Sequence, residues 1–176
     1  MKSRVLFAFL AVLLFVCVAI GQDKPPEPES IGVIYHLDPA TQTLKRLPTE
    51  DYKKHRVNGM TITDNVVVSG TGSSFHIATN DKAAFIFKVF KDEQAGGVFL
   101  FRFTADGKKH DGQNREYELG RWHRGDYTPN RGLAVNVTKF GESAYKLVPE
   151  TPLDPGEYAL TCLDRTFTFS VGASGK

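Results

Sequence analysis

Apolar side chains recur along this chain with a period of two, and Gly, Asn, Asp and Pro separate the short runs in which they do so. No window keeps the spacing of an amphipathic helix. Residues 83–90 are apolar on both alternating faces, with Ala83, Phe85, Phe87 and Val89 on one and Ala84, Ile86 and Phe90 on the other, the pattern of a strand covered on both sides. Residues 98–104 set Phe99, Phe101 and Phe103 on one face, and Gln94-Ala95-Gly96-Gly97 reads as the turn that pairs this strand with the one before it. Near the end, Phe167, Phe169 and Val171 point inward while Thr166, Thr168 and Ser170 point to water; residues 157–162 are the other arm of that hairpin and Leu163-Asp164-Arg165 its tip. Residues 31–37 and 43–47 flank a turn at 38–42, where Pro39 presets one backbone angle and Asp38 can bond nearby amides. Residues 60–68 form a strand interrupted at Asp64-Asn65, residues 115–122 another, and the alternation of Leu133, Val135 and Val137 continues through a turn at 140–143 into residues 144–148. About nine or ten strands follow, which predicts an all-β, antiparallel two-sheet sandwich, with an open β-barrel as the alternative.

The first residues read differently. Lys2 and Arg4 precede an apolar run over residues 5–20, and Ala19 and Gly21 are the small residues a signal peptidase reads, so residues 1–21 are expected to be a secretory signal peptide cut after Gly21. An uncleaved signal anchor at the inner membrane is the competing reading, because the run is longer than a usual signal core and shorter than a typical span. Residues 22–30 carry Pro25, Pro26 and Pro28 among charges and read as an extended, solvated spacer. Residues 31–171 are the β domain and 172–176 a polar tail; the roughly 155 residues after the signal suit one core.

Composition narrows the class. Hydrophobic residues at 41% and charged residues at 24% exclude long disorder, a collagen-like fibre and a disulfide-dense scaffold. Lys2 and Arg4 supply the whole formal charge of +2, so the exported part is neutral; it is not expected to hold nucleic acid through bulk charge or to insert into a membrane after signal cleavage. Cys17 leaves with the signal, so Cys162 has no intramolecular partner, and its alternation with Tyr158 and Leu160 makes it a buried small hydrophobe. One shielded thiol suits a bacterial periplasm or exterior.

Few residues point to chemistry. His36, His55, His76, His110 and His123 lack metal-ligand spacing, His36 being read as a surface or hydrogen-bonded imidazole, and no cofactor motif is present. Gly70-Thr71-Gly72-Ser73-Ser74 lacks the trailing glycine of a nucleophile elbow and reads as a link between strands. Glu116 and Glu118 would stand roughly 6.5 Å apart on one strand face, within the range of a glycosidase pair, but the nearby Arg115 and Arg121 would depress their pKa values where a general acid needs a raised one. The densest polar and aromatic stretch is residues 121–131, whose Arg121, Trp122, His123, Arg124, Tyr127 and Arg131 are the candidate ligand-binding residues: exposed rings stack on a sugar or base, and Arg grips carboxylate or phosphate. The bland reading of the same stretch is a Trp that closes one end of the sandwich under Arg stems. Lys45-Arg46 and Lys53-Lys54-His55-Arg56 form a basic stretch, read as solvated edge charges.

Pro152-Leu153-Asp154-Pro155-Gly156-Glu157-Tyr158-Ala159-Leu160 resembles the last hairpin of a loose set of exported bacterial β-sandwich proteins, and Gly32-Val33-Ile34-Tyr35 with its polar hairpin is similar to their opening. The resemblance covers about a fifth of the chain and implies fold and export; it carries over no activity, cofactor or site residue. Together these features predict a non-enzymatic, secreted or periplasmic binding or assembly module whose candidate partners are an envelope protein or a polysaccharide. The alternatives are a secreted glycan-acting hydrolase and a structural, oligomer-forming protein.

Overall fold

The computed structural model describes residues 26–59, 61–79, 82–90, 97–104 and 114–172. The expected signal peptide, Met60, the 94–96 part of the expected turn and the tail after Gly172 lie outside the described residues. Among the described residues there are fourteen strands and no helix, in three sheets that do not close into a barrel.

The front sheet has the order β11 (Val135–Phe140), β12 (Ala144–Pro149), β7 (Phe85–Lys88), β1 (Ile34–Leu37) and β2 (Leu44–Arg46). The central sheet has the order β3 (Thr49–Glu50), β14 (Arg165–Val171), β13 (Gly156–Cys162) and β8 (Phe99–Arg102), with the two-residue β6 (His76–Ile77) added in parallel beside β14. The back sheet has the order β10 (Asp126–Pro129), β9 (Asn114–His123), β5 (Ile62–Ser69) and β4 (Tyr52–Val57). The front and central sheets enclose the main core, where Ile34, Phe85, Phe87, Leu147, Leu100, Leu160, Phe167 and Phe169 are each fully buried. Each such side chain contributes about 1.5–3 kcal/mol by leaving water. The other face of the central sheet meets the back sheet through Phe101, Phe103 and Ala159 against Val66, Val68 and Tyr117.

The all-β sandwich predicted from the alternation is present, with a third layer added. Two expectations change. The strands around Phe85 and Phe99 do not pair with each other: β7 lies between β1 and β12 in the front sheet, and β8 pairs with β13 in the central one. Thr166 and Thr168 do not face water; they are 2% and 0% exposed under the back sheet, where the Thr168 hydroxyl donates to Glu50 and the Thr166 hydroxyl lies 3.4 Å from that of Tyr117. The basic stretch at residues 53–56 keeps its reading as solvated edge charges: it is the exposed body of β4, the edge strand paired to β5.

Turn chemistry behaves as predicted where it is local. Asp38 Oδ1 accepts the amides of Ala40 and Thr41 at 3.0 and 3.1 Å, which closes the first hairpin. Tyr158 of the Pro-Gly-Glu-Tyr segment enters the core at 1% exposure. At the other end, Pro28 is buried and the Glu27 carboxylate accepts the Glu142 and Ser143 amides and the Ser143 hydroxyl, so the close of the Pro-rich stretch is docked on the β11–β12 turn. His36 is also enclosed, 5% exposed and edge-on to Phe75 and Phe85, not on the surface.

Candidate functional site: a cleft between the central and back sheets

Side chains on the inner face of β5 lose cover along the strand: Val68 is 0% exposed, Val66 2%, and Ile62 37%. The partners follow the same course, from buried Arg115 and Tyr117 on β9 to Tyr127 on β10, 42% exposed. The back sheet is therefore closed on the central sheet at one end and stands off at the other.

A buried polar cluster holds the closed end. The Arg115 guanidinium donates to Gly70 O at 3.0 Å, Ser73 Oγ at 2.8 Å and Glu157 Oε2 at 3.2 Å, pairs with Glu50, and lies 5.0 Å from the Phe103 ring. The Ser73 amide also donates to Glu157, at 2.9 Å. The glycine-serine link at residues 70–74 is thus pinned between sheets, with Ser73 buried as an acceptor for Arg115.

At the open end lies a cleft of about 640 Å³. Val66, Phe101 and Tyr117 line its depth; burial pushes the Tyr117 phenol up to about 12, so this hydroxyl is neutral at the floor. Phe99, Tyr127 and Leu163 stand on its rim, and Lys54, Arg131, Asp164 and Arg165 supply the charge around it. A β-bulge shapes the β9 wall, because Asn65 pairs with Glu118 while Asp64 pairs with Gly120, leaving Leu119 extra. Past the bulge, Gly120 lets the chains approach: a Cβ there would come within 2.5 Å of the Tyr127 hydroxyl and 2.7 Å of Thr128 O. Tyr127 consequently lies across the strand. The β9–β10 hairpin closes on Arg124 and Gly125, both at positive φ of 51° and 92°, a two-residue turn that makes residues 126–129 a strand where the sequence reads as loop.

The six predicted binding residues divide. Tyr127 and Arg131 line the cleft. Trp122 is held beside it: its Nε1–H donates to Asp64 Oδ2 at 2.8 Å, its ring lies 4.8 Å from that of Tyr127, and the Arg56 guanidinium, bonded to both Asp64 oxygens, sits 5.7 Å from the ring centroid. Arg56, and next Trp122, hold the Asp64 carboxyl below the usual carboxylate range. Arg121 is paired to Glu118 at 2.7 Å, and His123 and Arg124 are exposed at the hairpin tip, away from the cleft. Sequence reasoning missed Tyr52, Lys54, Phe99, Tyr117 and Arg165. One signal was available in the sequence: Leu163 is an apolar residue at a hairpin tip, and the structure sets it at φ of 48°, a conformation that β-hairpin turns reserve for Gly, Asn or Asp.

The carboxylate pair has other partners. Glu116 accepts from Asn65 Nδ2 at 2.6 Å and Glu118 from Arg121, and neither lines the cleft. Among the described residues no group of three His, Cys, Asp or Glu side chains could hold a metal ion, and no helix is long and apolar enough to cross a membrane. No family model, curated protein or solved structure matches the chain.

Proposed function

We propose that this protein is a non-enzymatic binding module exported to a bacterial envelope, with the cleft between the central and back sheets as its ligand seat. One observation carries the reading. Of the seven large apolar side chains exposed among the described residues, three, Phe99, Tyr127 and Leu163, stand together on the rim of one cleft of drug-sized volume. Apolar groups left in water are unfavourable, and a cluster of them at a concavity marks a surface that a ligand covers. The envelope location rests on the signal-like first 21 residues and on the resemblance of the closing hairpin.

The test is a thermal-shift screen of the exported chain against lipids, glycans, peptides and an envelope extract. It is run in parallel on Gly97→Phe, since a Cβ at this cleft-lining glycine meets no atom of the described residues within 4 Å and there is room for a ring that obstructs the cleft. A ligand at a hundred times its Kd adds about 2.7 kcal/mol to stability, and the shift should disappear in Gly97→Phe. A shift that persists in the variant rejects the cleft as the seat, and chemical turnover of the ligand rejects the non-enzymatic reading.

A further inference from the structure

The charges around the cleft are of one kind in excess. Lys54, Arg131 and Arg165 approach it from three different parts of the chain, all three are exposed, and none has an ion-pair partner among the described residues; Asp164 is the only acid on the lining. In a chain whose exported part is neutral, this is a local concentration of unpaired cations. Elsewhere on the fold, Lys45, Arg56, Arg102, Arg115 and Arg121 are each matched to a carboxylate, whereas Arg46, Lys53, Arg124, Lys139 and Lys146 carry no ion pair among the described residues but do not line this cleft.

Of the uncharged polar side chains at the cleft, Asn130, Thr166 and three tyrosines are already occupied, which leaves the single hydroxyl of Thr161. Asn130 spends its amide nitrogen on Glu118 O at 2.8 Å and its oxygen on the Gly132 amide at 2.9 Å. The Tyr127 hydroxyl donates to Leu119 O, that of Tyr52 to Asp164 O, and that of Tyr117 shares its contact with Thr166. A neutral sugar is held by amide and carboxylate side chains that read its hydroxyls, and here they are either engaged or reduced to Asp164. What remains available is an apolar trough with one hydroxyl, one carboxylate and three cations around it.

We propose that the cleft takes a single-chain anionic amphiphile of the kind a fatty-acid carboxylate presents, its chain along Phe101 and Tyr117 and its head among Lys54, Arg131 and Arg165. This rests on the reading of the cleft as a ligand seat. The apolar body supplies most of the affinity and the head selects the sign of charge.

The chain contains its own reporter, since Trp122 is the only tryptophan and its ring lies 4.8 Å from that of the cleft residue Tyr127. Trp122 emission is followed while the full exported chain is titrated with three amphiphiles below their micelle concentrations, dodecanoate, dodecyl maltoside and dodecyltrimethylammonium, and with a neutral glucan oligomer. Dodecanoate should give a saturable change that weakens with added salt and vanishes in Gly97→Phe. Lys54→Gln, Arg131→Gln and Arg165→Gln should each weaken dodecanoate roughly two- to five-fold, the scale of exposed charge pairs, with melting temperatures unchanged and no effect on dodecyl maltoside. Equal binding of the cationic or neutral amphiphile, or insensitivity to all three substitutions, overturns the anionic head while leaving the seat intact. Saturable binding of the glucan, abolished in Gly97→Phe, replaces the amphiphile with a glycan and keeps the binding-module reading. Dodecanoate binding that survives in Gly97→Phe overturns the site, and silence from every amphiphile overturns the ligand class; the binding-module reading itself falls only if the wider thermal-shift screen is also blank.

Discussion

Arg115→Met tests the account of how the back sheet is held. The substitution keeps an unbranched apolar stem over Phe103 and removes every donor, so the Gly70 carbonyl and the Ser73 hydroxyl each lose a hydrogen bond and Glu50 and Glu157 lose their cation. Breaking a buried ion pair from one side costs about 3–5 kcal/mol. The Arg115 side chain is 5% exposed but those of Glu50 and Glu157 are 22% and 25%, so both carboxylates keep part of their hydration and the lower end applies, about 3 kcal/mol. That is a large share of the roughly 5–15 kcal/mol by which a domain is stable. At about 2–4 °C per kcal/mol for a chain of this size, the melting temperature should fall by about 6–12 °C. Urea denaturation with an unchanged m-value would place the loss in the native state. Adding Glu50→Gln and Glu157→Gln to Arg115→Met should recover part of the loss, because no charge is then left uncompensated. A single variant melting within about 2 °C of the parent, or costs that simply add across the triple variant, would refute the idea that Arg115 clamps the two sheets.

Two further outcomes follow from local geometry. The Glu142 amide, and next the Ser143 hydroxyl, lower the Glu27 pKa from its ordinary 4.5, so the docking of residues 26–28 is fully present above that value and is lost as pH falls through the lowered one; the protection factors of the Glu142 and Ser143 amides, taken against the intrinsic exchange rate at each pH, should fall on acidification, and Glu27→Gln should remove this pH dependence. Replacing the β13–β14 tip by Leu163→Asn with Asp164→Gly should stabilise the fold by about 1 kcal/mol in urea melts, since both residues have positive φ, 48° and 57°, while weakening amphiphile binding through loss of the Leu163 rim.

The sequence made the class of fold legible because its signals were local. Alternation with a period of two, Asp38 before Pro39 and the Gly141-Glu142-Ser143 turn each act within a few residues, and the hairpins β1–β2, β11–β12 and β13–β14 follow from them. Partner choice between distant strands was not legible. β7 and β8 are both apolar on two faces, and a glycine-containing connection serves a hairpin and a crossing between sheets equally well, so nothing near Phe87 or Phe99 assigned them to different layers. The third layer was hidden for a chemical reason: Thr166 and Thr168 read as a wet row, yet their hydroxyls are satisfied by Tyr117 and Glu50, and a threonine with a buried partner looks in sequence like one in water. Of the residues that aromatic and arginine density singled out, Tyr127 and Arg131 lie on the cleft lining, whereas Trp122 and Arg121 are drawn into contacts with Asp64 and Glu118.

The clamp and the cleft are two ends of one arrangement. A back sheet held to the central sheet by apolar packing alone would be expected to settle along its whole length, since each further Å² of buried apolar surface is favourable by about 25 cal/mol. Two features oppose that here. Arg115, Glu50 and Glu157 need fixed hydrogen-bond geometry, which sets the angle between the sheets at the closed end. At the far end, the bulge at Leu119 and the charged inner face of Lys54, Arg56 and Asp64 set a desolvation cost against closure. The resulting wedge leaves Phe99, Tyr127 and Leu163 exposed, and the surface that the fold leaves open is the one a bound apolar body would bury.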